Sequence, residues 1–255
     1  MTTGMEEGDA ILYQRTKMEG PGYRYIVKSY GFRSGAPGSP RKEKRKRTPE
    51  EIEKQNRSNR ARNIRLLILG NFKKGWHVIL TYPKDQRPET AADAKKELAK
   101  FNRKMKRIFE KAGFTYKWIA VTEIGSRGAV HHHLILEDIH TDTFATQDAV
   151  MECWKVGRKN FTPLFADGEY ESLADYLAKK ETKEDIPGCK VSHSRNLIMP
   201  KVKKEKILRK RWQTEPKIPK GWMLVPGSLW NGINSYTGLP VQHYLLITIK
   251  SPPDE

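Results

Sequence analysis

Hydrophobic and polar positions follow two rhythms along this chain. A period of three to four governs residues 90–113, where Ala94, Leu98, Phe101, Met105, Ile108 and Ala112 recur. With Thr90 and Asp93 at its start and Gly113 at its end, this stripe predicts an amphipathic helix. A second, basic helix is predicted over 49–69, with Thr48 as N-cap, Pro49 at the first helical position, Glu50 and Glu51 in the first turn, and Gly70 as a stop. Shorter β-branched and aromatic runs read as strands. They are WHVILTY (76–82) closed by Pro83, YKWIAVTEI (116–124), VHHHLIL (130–136) and VQHYLLITI (241–249). The glycines of Gly125-Ser126-Arg127-Gly128 suit a hairpin turn between the second and third of these runs. Further helices are expected at about 146–156 and 172–183.

The order β-α-β-β-α-(α)-β predicts an α+β fold of the ferredoxin or RNA-recognition type, an antiparallel sheet with helices on one face and the other face open for a site. Residues 31–47, GFRSGAPGSPRKEKRKR, lack apolar periodicity and read as a flexible basic linker. The expected division is an N-terminal segment and linker at 1–47 and one domain at 48–255. No repeat with a period of 20 to 50 residues is visible.

Charge narrows the class of partner. With 48 Lys+Arg against 30 Asp+Glu, the 255-residue chain carries a formal net charge of +18. The cations cluster at 41–62, 95–111 and 201–211. One such cluster alone reads as a solvated helix face; three in one chain favour a polyanionic partner bound with steep salt dependence. The start MTTGMEEGDA has no apolar signal-peptide core and no run approaches a membrane span, so a cytoplasmic location is expected. Cys153 and Cys189 are too few for a disulfide framework or a cysteine-based zinc site and read as reduced structural thiols.

Candidate chemistry sits in two places. Alternation along a strand presents His131 and His133 on one face of the sheet and turns His132 to the other. A short hairpin turn brings Glu123 opposite His131, which assembles a two-histidine, one-carboxylate site for a divalent metal ion. Within the helix that starts near Ser172, Tyr176, Lys179, Lys180 and Lys183 can share a face. A tyrosine is a weak nucleophile near neutral pH, and neighbouring cations favour its charged form. Alone, Tyr176 reads as a packing residue between Leu173 and Leu177; beside the histidines it supplies the second half of a phosphoryl-transfer site. A non-haem iron oxygenase or zinc hydrolase also uses such a metal triad, but neither class needs a strongly basic surface.

These motifs resemble the HUH endonuclease superfamily, and within it the rolling-circle replication initiators of bacterial plasmids and phages. VILTYPK (78–84) resembles the first motif, VTEIGSRGAVHHHLIL (122–136) the His-hydrophobic-His motif with its upstream Glu and Arg-Gly, and ADYLAKK (174–180) the Tyr motif with its following Lys. The resemblance implies His131, His133 and Glu123 as ligands for Mn²⁺ or Mg²⁺, Tyr176 as nucleophile and Lys179 as its supporting cation. Arg127, Lys180 and Lys183 are expected to contact DNA. The implied activity is site-specific nicking and joining of single-stranded DNA at a replication origin, through a 5′-phosphotyrosyl link. Because the chain has no GxxxxGK[ST] motif, a host helicase and polymerase are expected partners. Two positions depart from the pattern: His132, expected to be buried against the helices, replaces the bulky hydrophobic residue, and Lys180 stands where some initiators carry a second tyrosine. An origin-binding regulator without catalysis, or a transposase or relaxase of the same superfamily, remain the alternatives.

Overall fold

The computed structural model describes residues 13–31, 36, 38, 46–124, 129–164, 170–178 and 191–249. In chain order these form β1 (Tyr13–Gly20), β2 (Tyr23–Tyr30), α1 (Pro49–Asn71), β3 (Gly75–Thr81), α2 (Ala91–Lys111), β4 (Trp118–Ile124), β5 (Val130–Glu137) and α3 (Thr146–Cys153). There follow β6 (Lys159–Leu164), α4 (Glu171–Ala178), β7 (Ser192–His193), β8 (Lys201–Ile207), β9 (Trp222–Leu224), β10 (Trp230–Ile233) and β11 (Pro240–Thr248). The fold is α+β, and the chain divides into a central unit, residues 55–198, and a terminal unit built from residues 1–54 and 199–255.

The central unit carries a sheet in the order β6-β3-β5-β4-β7, with every neighbouring pair antiparallel. The predicted β-α-β-β-α-β arrangement is therefore present, with β3 and β5 at the centre. One face of this sheet packs on α2 and α3 through Val78, Leu80, Leu134 and Leu136 against Leu98, Phe101, Met105, Phe109 and Val150. Each large side chain so buried contributes about 2 kcal/mol of hydrophobic stabilisation. The N-cap of α2 is the expected one: Thr90 Oγ1 accepts from the Asp93 backbone N–H at 3.1 Å.

Two expectations change here. The sequence places helices on one face only, whereas Ile64, Leu67 and Ile68 of α1 and Ala174, Leu177 and Ala178 of α4 pack with Ile119, Val121 and Ile135 on the second face. Those three strand residues are apolar on both sides of the alternation, so both faces require cover. The strand that completes the arrangement is also different: β6 fills the place expected for residues 241–249. Its sequence KNFTPL includes Pro163 and is largely exposed, so it carries little strand signal, but an edge position tolerates proline.

The terminal unit is a second antiparallel sheet in the order β10-β11-β2-β1-β8, with β9 also pairing with β11. The edge of neither unit falls at the expected 47/48 boundary, because β1 and β2 pair with strands from the far end of the chain. Pro21 and Gly22 link β1 to β2; Gly22 has φ +75°, the left-handed conformation that a type II turn demands at its third residue. Ile26, Tyr244 and Leu246 form one small core of this sheet with Trp222, Leu224 and Leu229 packed on it, and Tyr13, Tyr30 and Leu239 form another with Ile207 and Trp212.

Candidate active site

The hairpin of β4 and β5 sets the register of the candidate ligands. Glu123 is the cross-strand partner of His131, and Val121 that of His133, so the carboxylate and both imidazoles occupy the face that also carries α1 and α4. Glu123 Oε2 lies 3.3 Å from His131 Nε2 and 3.3 Å from His133 Nε2. One ligand atom from each of the three residues lies within 4.8 Å of the other two, so the group can hold a metal ion.

The second ring nitrogens fix which atoms converge. His131 Nδ1 is 3.2 Å from the Ala129 carbonyl oxygen, an obligate acceptor, so it carries the proton of that hydrogen bond. His133 Nδ1 is 3.0 Å from Nε2 of His77, a β3 residue. When His77 accepts there, both β5 imidazoles present an Nε2 lone pair toward Glu123. This is the arrangement by which outer hydrogen bonds orient histidine ligands. His133 Nε2 and Glu123 Oε1 are buried and make no hydrogen bond among the described residues. Leaving two such atoms unsatisfied costs roughly 1–3 kcal/mol each, a penalty that a shared cation removes. Two imidazoles and a carboxylate are donors suited to Mn²⁺ and other divalent ions, so the residues fit the expected group.

Electrostatics follow from burial and neighbours. Burial raises the Glu123 carboxyl, but the contacts with His131 and His133 outweigh it and bring the group down to about 2. It is therefore an anion throughout the physiological range. Burial, reinforced by His133, lowers His77 to about 4, which keeps that ring neutral and able to accept at Nε2.

His132 has a different environment. It is fully buried, with Nδ1 2.8 Å from Thr122 Oγ1 and Nε2 2.7 Å from Tyr82 Oη, and its ring lies edge-on to Trp154 and Tyr82. Both nitrogens are committed, so it plays no part in the ligand set. The expected burial of this position against the helices is what the structure shows.

Tyr176 reaches the same face from α4. Ala174, Leu177 and Ala178 anchor that helix in the core, while Arg60 Nη1 donates to the Ala178 carbonyl at 3.1 Å and Arg65 Nη1 pairs with Glu171 Oε2 at 3.0 Å. The opposite side of the helix presents Tyr176, 37% exposed, whose ring sits edge-on to His133 with centroids 5.3 Å apart and also to His77 at 6.4 Å. A nucleophile candidate and a metal-ligand candidate are thus neighbours on two separately anchored elements.

Residues 75–185 match the family model of the replication-associated protein ORF2. That span begins at β3 and contains His77, Glu123, His131, His133 and Tyr176. No match is found among curated proteins or solved structures. Arg127, Lys179, Lys180, Lys183 and Cys189 lie outside the described residues, while Cys153 is a buried free thiol. No described helix is long and apolar enough to cross a membrane.

Sequence reasoning passed over His77. Its signal was present: in WHVILTY, Trp76, Val78 and Leu80 take one face, which leaves a lone imidazole on the other, among Ile79 and Thr81. Only strand pairing puts it beside His133, since Ile79 is the partner of His133 and His77 that of Ile135.

Proposed function

We propose that this protein initiates rolling-circle replication as a metal-dependent nicking and joining enzyme for single-stranded DNA, with Tyr176 as nucleophile. The observation that carries the reading is the meeting of the Tyr176 ring with His133, whose Nε2 points, with His131 and Glu123, into one small polar cluster. The match of residues 75–185 to a replication-associated family supports DNA as the substrate.

A divalent cation held by Glu123, His131 and His133 supplies Lewis-acid polarisation of the scissile phosphodiester. Tyr176 Oη attacks the phosphorus in line and gives up its proton; the bond from phosphorus to the 3′ oxygen breaks, and that oxygen takes up a proton to become a free 3′-OH. The 5′ side remains bound to Tyr176 as a phosphodiester, so rejoining needs no outside energy source. Anchoring of α4 by Arg60 and Arg65 limits the motion of the phenol, and near-attack positioning of this kind is a large part of the rate gain available to such a site. Lys179 is assigned to support the phenolate, and Arg127, Lys180 and Lys183 to hold the DNA strand. A host helicase and polymerase complete the cycle in the cytoplasm of a bacterial host, from a plasmid or phage origin.

Incubation with end-labelled single-stranded origin oligonucleotides tests this directly. An SDS-resistant protein–DNA adduct and a free 3′-OH fragment are expected with Mn²⁺ or Mg²⁺ and not with EDTA. Tight binding of the same oligonucleotides with no cleavage under any metal condition assigns the protein instead to origin-binding regulators.

A further inference from the structure

The central unit accounts for the chemistry, but a second concentration of charge lies in the terminal unit. Antiparallel pairing puts Glu205, Arg15, Lys28 and Gln242 in one row across β8, β1, β2 and β11, and Lys203 beside Lys17 in the next row on the same face. One carboxylate serves three of these cations. Arg15 Nη2 lies 2.6 Å from Glu205 Oε2, Lys203 Nζ 3.1 Å from Oε1 and Lys17 Nζ 3.7 Å from Oε2. Lys28 Nζ, almost buried, donates to the neutral Gln242 Oε1 at 2.8 Å. Four cations thus face a single anion, and Lys201 extends the row along β8 beyond Lys203.

The crowding has measurable effects on its members. Hydrogen bonds from Arg15 and Lys203 hold Glu205 down to about 2, and burial together with the Arg15 charge pulls Lys28 below the ordinary lysine range. Like charges gathered on one sheet face repel, and a polyanion laid across them relieves that repulsion while releasing its own counterions.

We propose that this basic face of the terminal sheet, centred on Arg15, Lys17 and Lys203, binds the phosphate backbone of double-stranded DNA. The occupant follows from what the face lacks as well as what it holds. Single-strand binding draws much of its affinity from exposed rings on which bases stack, whereas Tyr13, Tyr30 and Tyr244 of this sheet are buried. A duplex keeps its bases stacked inside and presents phosphates outward, so a cationic face without free rings suffices. The inference deepens the nicking reading, because an origin enzyme gains from a grip on the duplex that contains the strand it cuts. It stands on charge and geometry alone, without the tyrosine or the metal.

Binding of the full-length protein to a 30-base-pair duplex and to a 30-nucleotide single strand, in EDTA so that no cleavage intervenes, tests the proposal across a salt series. The triple variant Lys17→Gln, Lys201→Gln, Lys203→Gln leaves the Arg15–Glu205 bridge in place. Its duplex Kd is expected to rise at least tenfold at 150 mM salt, with the log–log salt slope shallower by about 2, near 0.9 per lost phosphate contact. Glu205→Gln carries the opposite sign and is expected to tighten duplex binding several-fold, an effect that damage to the fold does not mimic. An equal-charge control, Lys95→Gln, Lys104→Gln, Lys111→Gln on α2, is expected to lose less. A duplex slope unchanged in the sheet variant, or reduced no more than in the α2 control, overturns the site; a single-strand affinity reduced as much as the duplex overturns the occupant. Since metal and Tyr176 are not engaged, either result is separable from failure of the nicking reading.

Discussion

Strand β5 places three consecutive histidines in two environments. His131 and His133 look toward Glu123 and Tyr176, where Nε2 atoms converge and buried polar atoms of His133 and Glu123 lack hydrogen-bond partners among the described residues. His132, one residue away from each, looks into the core of α2 and α3 and has both nitrogens satisfied by Thr122 and Tyr82. The same side chain is a candidate ligand on one face and a structural bridge on the other. The difference lies in what the opposing strands and helices offer: an anion with orphaned atoms in one case, two neutral hydroxyls in the other. A buried histidine is thus informative only together with the state of both its nitrogens.

The sharpest division between the faces is expected from Tyr176→Phe. It removes the attacking oxygen and nothing else from the site, so covalent adduct formation should fall by about 10⁴-fold or more, while Mn²⁺ affinity measured by calorimetry stays within a few-fold of the parent. Next comes His133→Ala, or His131→Ala. Loss of a ligand is expected to weaken Mn²⁺ binding by more than about 100-fold, and retention of parental affinity in both variants would remove the metal from the proposal.

His77 sharpens the comparison because it acts through His133. His77→Phe keeps a ring in the stack but removes the acceptor for His133 Nδ1, and a loss of about 10- to 100-fold in Mn²⁺ affinity is expected. His77→Gln, whose amide oxygen can accept in the same place, should recover most of it. Equal affinities for the two variants would show that the ring matters for packing alone.

On the core face, the loss should appear as stability instead. His132→Ala empties a buried volume and leaves the Thr122 and Tyr82 hydroxyls unpaired, at an expected cost of about 2–4 kcal/mol in denaturant unfolding, with Mn²⁺ affinity nearly unchanged.

The smallest effect concerns pH. Burial, with lesser contributions from His131 and His133, lowers His132 in the folded protein to about 4 from an ordinary 6.5. Between those values the unfolded chain binds a proton that the folded chain refuses, so this contribution to stability is whole above pH 6.5 and is lost as pH falls toward 4. The metal-free protein should melt several degrees lower at pH 5 than at pH 7, and His132→Gln should flatten that slope. An unchanged slope would show that His132 is not the group responsible.

Much of the central unit was legible in order along the chain. The stripe in 90–113 became α2, and its long period leaves little room for another reading; the hairpin pattern became β4 and β5 in the register that pairs Glu123 with His131. The terminal hairpin was also written locally, in Pro21-Gly22 between YQRTKMEG and YRYIVKSY, yet the short N-terminal stretch drew no strand assignment beside its basic linker. The weak strand β6 was obscured by Pro163, and residues 241–249 looked like its replacement because they are the stronger apolar run.

By itself the sequence determined the local periods: which stretches coil and which extend, that His131 and His133 share a face that excludes His132, and that a basic chain seeks a polyanion. Tertiary structure alone decided the rest. It paired β2 with β11 across some two hundred residues, brought His77 within hydrogen-bond reach of His133, set Tyr176 against that same imidazole and gathered Arg15, Lys17 and Lys203 around one glutamate. The physical reason is that periodicity is a property of neighbours along the chain, whereas pairing depends on which distant surfaces bury the most apolar area and satisfy the most backbone groups together.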